Sequence, residues 1–286
     1  MGRDLTQRLL QQHEEIVDVP AKLSTRVRLL SHGHPRKTDP ADARAVATAA
    51  VHTAGLHVPL EESGITSLRL LSDRRDELVR QRTQAVNRLH VLTAALAPGR
   101  CHGKLSPTAA SRLLLECRPA GKADQTRLLL AEDLLAEIAA VSERIALINQ
   151  QITRDVEAVG STLTDLVGIS HLTAAKILGR VIDVRRFATA AAFAAYCGTA
   201  PIEVSSGDRT RHRLSRAGDR QLNYAIQTMA VTQRRVHLPA QAYYERKRLE
   251  GKSRKEAMRC LKRRLADVIY RQLVRDCRNT CSSQAA

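Results

Sequence analysis

The stretch Gly198–Gln221 has the sequence GTAPIEVSSGDRTRHRLSRAGDRQ, with a Ser-Ser-Gly in a loop bounded by Pro and Gly. Six basic residues follow that loop, up to the start of the next helix: Arg209, Arg211, His212, Arg213, Arg216 and Arg220. A serine hydroxyl beside fixed guanidinium groups suits attack on a phosphodiester, because arginines neutralise the phosphate and its transition state. A Ser/Gly turn beside a solvated basic face has the same residues. The rest of the chain has to separate these two interpretations.

Basic residues are concentrated in the second half of the chain. The 286 residues carry a formal net charge of +17, and from Ser205 to Arg275 there are 19 Lys and Arg against 6 Asp and Glu. An arginine-rich composition alone would spread this excess evenly, so its localisation favours a polyanionic partner, first of all nucleic acid. Aromatic residues make up only 2% of a chain that is 43% hydrophobic. The core must therefore consist of aliphatic side chains, which favours helices.

The cysteines and the apolar segments indicate the compartment. No CxxC pair occurs, so reduced thiols of an intracellular protein are expected at all six cysteines: Cys101, Cys117, Cys197, Cys260, Cys277 and Cys281. No apolar run is long enough to cross a bilayer, and no signal peptide opens the chain. We expect a cytoplasmic protein that does not contact a membrane.

Residues 1–58 are predicted to form a small α/β part. Its pattern indicates helices over 5–12 and 22–30, a strand over 15–19, and a third helix that opens within residues 37–43 and runs to about residue 54. Asp39 and Asp42 begin the third helix, and their spacing places both carboxylates on one face, where they could share a divalent metal. In the alternative interpretation the residues are structural, with Asp39 as the N-cap, Pro40 at the first helical position and Asp42 complementing the helix dipole.

Residues 59–158 are predicted to form a long helical arm. Helices are expected over 62–96, 108–117 and 123–158. Apolar residues of the last one keep a heptad spacing: Leu134, Ile138, Val141, Ile145, Ile148 and Ile152. The arm should therefore be an antiparallel coiled-coil hairpin or a dimerisation arm.

Residues 159–279 are predicted to form an α-helical domain, followed by a disordered polar tail over 280–286. Leu163–Leu178 is typical of a helix-hairpin-helix element, which directs backbone N–H groups and a helix N-terminus at a DNA phosphate without reading bases. Lys176 would add charge there. Further helices are expected over 188–196, 219–235, 240–249 and 253–275.

A series of short motifs runs along the chain: KTDPADA at 37–43, DELV at 76–79, RTQAVNRL at 82–89, LVGI at 166–169, LTAAKI at 172–177, GTAP at 198–201, SG at 206–207, RHRLS at 211–215 and GDRQLN at 218–223. In this order they resemble the bacterial insertion-sequence 110 family of transposases over nearly the whole chain. The resemblance implies a mainly α fold with a small α/β N-terminal part. That part would be a RuvC-like (ribonuclease H-like) fragment. A coiled-coil hairpin would join it to a helical domain with the helix-hairpin-helix-like element and a serine.

The resemblance also implies a mechanism. Four acidic residues hold divalent metal, here Mg²⁺, and a serine attacks a backbone phosphate to form a covalent protein–DNA intermediate. Asp39 and Asp42 match the last two acids. Ser206, immediately before Gly207, is the implied nucleophile, and Ser205 is the alternative. The remaining predicted nucleic-acid contacts are Lys176, Arg209, Arg211, His212, Arg213, Arg216 and Arg220, with His212 either a phosphate contact or a proton shuttle. Implied partners are DNA (the element ends and the target), a guide RNA encoded by the element, and further copies of the chain through the arm.

One feature departs from the family pattern. No position matches the first Asp and the Glu that precede the first helix in the family, so we expect a truncated chain or a misassigned start. Such a chain should bind DNA but cut and join it poorly, which leaves its enzymatic activity undecided. The alternative is a non-catalytic nucleic-acid-binding protein that dimerises with an intact transposase.

Overall fold

The computed structural model describes residues 2–30, 38–56, 58–59, 64–100, 105–206, 209–214 and 218–284. The side chains of residues 2–4, 202–206, 209–214 and 280–284 lie outside this description. The chain divides into two compact units, residues 1–63 and residues 64–286. None of the described helices combines the length and the apolarity that a membrane crossing requires.

The first unit is helical in its described part. Its helices are α1 (Gly2–Gln11), α2 (Ala21–Leu30) and α3 (Asp39–His52). The strand predicted over residues 15–19 is wrong: within the described residues only Asp18 makes an isolated bridge, and its neighbours are irregular. A strand needs a partner and a face to bury, and Val17 stays 43% exposed. The small α/β part expected here is therefore a set of helices in the described residues.

A pair of long helices forms the arm: α4 (Gly64–Leu96) and α6 (Lys122–Val159), with the short α5 (Pro107–Glu116) packed against both. Hydrogen bonds join Ser67 to Asp155, Arg75 to Asn149 and Gln81 to Glu137. Residues later in α4 thus meet residues earlier in α6, so the helices run antiparallel. The heptad positions of α6 face this contact, and five of them are buried: Leu134, Ile138, Val141, Ile145 and Ile152.

The rest of the second unit is a helical domain. Its elements are a 3-10 helix (Thr162–Asp165), α7 (His171–Val181), a second 3-10 helix (Val184–Arg186), α8 (Ala190–Tyr196), β1 (Pro201–Ser206), β2 (Arg209–Leu214), α9 (Arg220–Val236), α10 (Leu238–Leu249) and α11 (Arg254–Gln284). Fully buried apolar side chains of the longer helices meet in one core: Ile177, Phe193, Leu222, Ile226, Met229 and Ile269. The first half of the predicted helix-hairpin-helix element is only the single 3-10 turn before α7.

Two segments of this domain differ from the sequence-based expectation. Residues 201–214, expected as a loop, form a two-stranded antiparallel hairpin. Residues 280–284, expected to begin a disordered tail, continue α11 as far as Gln284.

The arm and the helical domain share one core. Leu68 of α4 and Ile152 and Val156 of α6 pack with the apolar side chains of the domain. Gly179 of α7 lies against α4 so closely that an added Cβ would be 2.8 Å from the Arg69 Cα. The predicted boundary after residue 158 therefore crosses a continuous core, and the chain divides into its two compact units between residues 63 and 64.

Candidate nucleic-acid interface

The register of the hairpin sorts its residues onto two faces. The opposed pairs are Ser206–Arg209, Ser205–Thr210, Val204–Arg211, Glu203–His212 and Ile202–Arg213. Opposed residues of an antiparallel pair share a face, and alternate residues along each strand return to it. One face therefore carries positions Ser206, Arg209, Arg211 and Arg213, together with Ile202 and Val204. The other face carries Ser205, Thr210 and His212.

This sorting distinguishes the two serines. Ser206 occupies the same face of the ribbon as three predicted phosphate contacts, whereas Ser205 occupies the face of His212. Sequence spacing alone could not make this distinction, because Ser205 and Ser206 are neighbours. Residues 207–208 and Arg216 lie outside the described residues.

Two glycines hold the base of the hairpin together. Gly198 has a left-handed backbone (φ +64°), which a glycine adopts without strain. A Cβ added to Gly218 would lie 2.2 Å from the Gly198 nitrogen, so the two backbones touch. Beside them, the Asp219 amide donates to the Tyr196 carbonyl at 2.8 Å. The chain thus enters and leaves the hairpin at one fixed point of the domain.

A short chain of hydrogen bonds ties this base to α11. Asn223 of α9 donates from Nδ2 to the carbonyls of Cys197 and Gly198, at 2.9 and 3.1 Å. Its Oδ1 accepts from Lys262 Nζ at 2.6 Å. Lys262 is only 6% exposed, and burial lowers the pKa of its ammonium group.

Sequence reasoning missed Lys262, although a signal was present. Met258, Leu261 and Leu265 follow the three-to-four spacing of a buried helix face, and Lys262 falls on the same stripe. A lysine on an apolar stripe predicts a buried cation.

The cysteine at the hairpin base is not a nucleophile. Cys197 is fully buried in the core, and its carbonyl rather than its thiol takes part in the contacts of the base. Burial, and after it the Asp219 carboxylate, raises the pKa of the thiol far above its usual range. The thiol is therefore enclosed in the core, and Ser205 and Ser206 of β1 stay the predicted nucleophiles.

Lys176 and Arg220 lie in different surroundings. Lys176 Nζ donates to Asp76 Oδ2 at 2.6 Å and to Gln221 Oε1 at 3.2 Å, which joins α7 to α4 and α9. Its ammonium is thus already paired inside the domain. Arg220 is exposed at the first position of α9, next to the N-cap Asp219, which accepts from the Leu222 amide at 2.8 Å.

Asp39 and Asp42 both lie in the first turn of α3, but the helix is capped one residue earlier than expected. Thr38 is the N-cap, and its Oγ1 accepts from the Ala41 amide at 3.4 Å. The cap prediction for Asp39 is therefore off by one residue, since Thr38 already supplies the hydroxyl acceptor. Asp42 Oδ1 accepts from Arg28 at 2.9 Å.

These two carboxylates do not make up a magnesium site by themselves. Mg²⁺ requires near-octahedral oxygen ligands, and one oxygen of Asp42 is already bonded to Arg28. Within the described residues, no three or more His, Cys, Asp or Glu side chains are grouped so that they could hold a metal. We therefore derive no chemical step through a metal.

The fold and the candidate interface together indicate a class of protein. A serine grouped with arginines on a fixed hairpin, in a basic helical domain with a long arm, fits a transposase, and two family models agree. Residues 160–245 match the model described as Transposase IS116/IS110/IS902 family, and residues 2–98 match a second transposase model, of the DEDD group. The chain belongs to the IS110 family of insertion-sequence transposases. Transposases of the DEDD group typically use divalent metal ions.

Individual relatives agree with the family models. The chain is 32% identical over 148 residues to an uncharacterised 43.6 kDa protein of insertion element IS110 from Streptomyces coelicolor, covering 51% of this chain and 36% of the relative. It is 26% identical over 315 residues to an uncharacterised 44.8 kDa protein of insertion element IS116 from Streptomyces clavuligerus, covering 93% and 78%. A probable family 20 transposase from Pseudomonas aeruginosa is 29% identical over 189 residues, covering 64% and 55%. The chain thus spans little more than a third of the first relative.

Proposed function

We propose that this chain acts on DNA as an insertion-sequence transposase with Ser206 as its nucleophile. The observation that carries the proposal is the hairpin register, which groups Ser206 with Arg209, Arg211 and Arg213 on one face. Guanidinium groups fixed beside a phosphate stabilise the charge that develops during attack. The glycine-closed base supports this role, because it holds both strands at one point of a packed core.

The proposed reaction is a transesterification, in which one phosphoester bond forms as another breaks. The Ser206 hydroxyl oxygen attacks the phosphorus of a phosphodiester and loses its proton to solvent. The Oγ–P bond forms, the P–O bond to the departing strand breaks, and the departing oxygen takes up a proton. The resulting phosphoseryl ester preserves the bond energy, so the terminal hydroxyl of a second strand attacks it, restores the serine and joins the DNA.

The basic residues take different roles in this proposal. Arg209, Arg211 and Arg213 hold the scissile and flanking phosphates, while Arg216 and Arg220 extend the contact along the strand. His212 belongs to the opposite face of the ribbon from Ser206, which favours a phosphate contact over a proton shuttle. We leave Lys176 out, because its ammonium is paired with Asp76.

The remaining partners follow from the family. Element ends and target DNA are the proposed substrates, a guide RNA encoded by the element the proposed targeting partner, and the arm the proposed contact between copies in the cytoplasm. Asp39 and Asp42 would supply two of the ligands for Mg²⁺.

The decisive experiment is covalent capture. The chain is incubated with labelled element-end DNA and Mg²⁺, denatured, and examined on a gel for a protein–DNA adduct. We expect an adduct with the wild-type chain and with Ser205→Ala, and none with Ser206→Ala. An adduct that Ser205→Ala abolishes and Ser206→Ala leaves intact would contradict the assignment.

The arginine face is tested by the salt dependence of DNA binding. Arg211→Ala and Arg213→Ala should each weaken binding equally on all sequences and flatten the slope of log affinity against log salt by about one unit, as phosphate contacts do. Arg112→Ala, an exposed arginine of α5, is the control and should leave the slope unchanged. A loss that depends on DNA sequence would indicate base contacts instead.

The small number of carboxylates grouped in α3 favours a second candidate function, DNA binding without cleavage. With only two of them together in α3 and one bonded to Arg28, the chain could bind DNA without cutting it and pair with an intact transposase. Intact DNA binding with no adduct under any divalent metal would favour this second function.

A further inference from the structure

A basic cavity lies between α9, α10 and α11. Its volume is about 420 Å³, and it is lined by Gln227, Arg234, Tyr244, Arg254, Lys255, Met258, Arg259 and Lys262. Five of these residues are cations and, in the described part of the chain, none is acidic. A concave site with one sign of charge concentrates ligands of the opposite sign.

The cations are graded from the rim of this cavity to its floor. Arg234, Arg254 and Lys255 are exposed, Arg259 is half-buried and Lys262 is buried. Arg259 has a carboxylate near it, since Glu256 Oε1 lies 3.7 Å from its guanidinium while Glu256 Oε2 accepts from Ser253 Oγ. The cations of the rim are therefore accessible to a ligand, while Lys262 lies at the buried end of the cavity.

Lys262 is the unusual member. Its ammonium donates to the neutral Asn223 amide, so its charge is not balanced by that contact. A buried charge without an opposite charge is costly, and burial lowers the pKa of this ammonium group. An anion entering the cavity would supply the missing charge.

We propose that this cavity binds a backbone phosphate of the DNA on which the chain acts, with Lys262 at its floor and the exposed arginines contacting the flanking phosphates. The inference rests on the proposed function. A DNA backbone fits the cavity better than a free phosphate does, because the cavity is larger than one phosphate group. The several cations at its rim also match the series of negative charges along a DNA strand. Lys262 is in turn joined to the carbonyls at the hairpin base by two successive hydrogen bonds, from Lys262 to Asn223 and from Asn223 to the carbonyls. The cavity thus sets where the strand passes relative to the hairpin.

The test measures DNA binding by fluorescence anisotropy at several salt concentrations. Lys262→Met should weaken binding to a labelled duplex by about 30-fold or more, as expected for a buried charge contact, and flatten the salt slope by about one unit. Arg264→Gln, an exposed residue of the same helix outside the cavity, is the control and should cost less than about fivefold. The double variant Arg254→Gln/Arg259→Gln, at the cavity rim, should also weaken binding beyond the Arg264→Gln control.

Inorganic pyrophosphate separates the two sources of phosphate. It should raise the melting temperature of the wild-type chain but not of Lys262→Met, and it should compete with the duplex. If it stabilises the wild type while Lys262→Met and the rim variant both bind DNA normally, the cavity takes free phosphates and the inference is overturned. Normal DNA binding by both variants without a pyrophosphate effect overturns it equally. Failure of the wild type to bind DNA at all would overturn the proposed function as well.

Discussion

The domain holds a half-buried and a buried lysine that differ in their partners. Lys176, between α7 and α4, lies 2.6 Å from the Asp76 carboxylate, and both side chains are less than one-fifth exposed. Among the described residues, Lys262 of α11 donates to the Asn223 amide oxygen at the same distance. The charge of Lys176 is balanced by a carboxylate, whereas Lys262 shares its cavity with four further cations. The first is a structural tie, whereas the second costs stability unless an anion arrives.

The same contrast separates two regions of the basic surface. Around α7, carboxylates of α4 pair with the basic residues: Asp76 with Lys176, and Asp73 with Arg180. This part of the surface is internally neutralised and fixes the arm to the domain. Around α11, five of the eight described residues that line the cavity are cations and none of the eight is acidic. Net charge alone would rank both regions as nucleic-acid sites, while the pairing of each side chain selects the cavity.

Removing the balanced lysine should have the largest effect on stability. Lys176→Met leaves the Asp76 carboxylate poorly exposed and without its ammonium, so the free energy of unfolding should fall by about 2 kcal/mol. This loss of stability should be smaller than for a fully buried ion pair, because Asp76 keeps a second cation nearby. Arg75 Nη1 lies 3.9 Å from Asp76 Oδ1. Urea unfolding followed by circular dichroism measures it.

The double variant Lys176→Met/Asp76→Leu is the control for this prediction. It removes the orphaned carboxylate together with the ammonium and should recover most of the lost stability, since an apolar pair can replace a buried ion pair. If Lys176→Met unfolds at the same urea concentration as the wild type, the Lys176–Asp76 pair does not stabilise the packing of α7 on α4. The contrast with Lys262 would then be wrong.

The helices were the predictable part of the fold. The apolar spacing of α6 predicted residues 123–158, and the helix spans Lys122–Val159. Pro98-Gly99 correctly marked the end of α4, which stops at Leu96. These signals are local, because an apolar stripe and a Pro-Gly stop lie within one segment of sequence. The strand expected at 15–19 failed because a strand depends on a partner elsewhere in the chain.

The site was only partly predictable for the same reason. The residues of the hairpin were identified, but the Ser-Ser-Gly segment was expected to lie in a loop. Ile202 and Val204 are the only aliphatic residues between Pro201 and Arg213, so the local pattern carries little strand signal. Unless the register of β1 against β2 is known, Ser205 and Ser206 cannot be told apart as candidate nucleophiles. The bond from Arg28 to Asp42 joins residues in separate helices, and the bond from Lys262 to Asn223 does likewise. Such contacts follow from packing and not from local spacing.

The unbalanced lysine should have a smaller effect on stability, and one that depends on pH. Its folded-state pKa lies below the ordinary 10.5 because of burial, so the unfolded chain binds more protons between the two values. Wild-type stability should therefore rise with pH through that window. The groups that share the cavity with Lys262 are Arg234, Arg254, Lys255 and Arg259, all cations, and Tyr244. In Lys262→Met this rise should be absent, and urea unfolding of both proteins from pH 7 to about pH 10 measures the difference.

A half-buried lysine of α10 provides a control of opposite sign. A hydrogen bond from Lys247 to Glu250 raises the pKa of Lys247 above its ordinary value, so the stability that this pair contributes is present at neutral pH and is lost as pH rises through the raised value. The free energy of unfolding of the wild type should exceed that of Lys247→Met by a small amount at neutral pH, and this excess should shrink as pH rises. For Lys262→Met, the free energy of unfolding of the wild type should instead increase relative to that of the variant as pH rises. If both differences move in the same direction, then Lys262 does not carry an uncompensated charge in the folded chain, and the argument for an anion in its cavity loses its energetic basis.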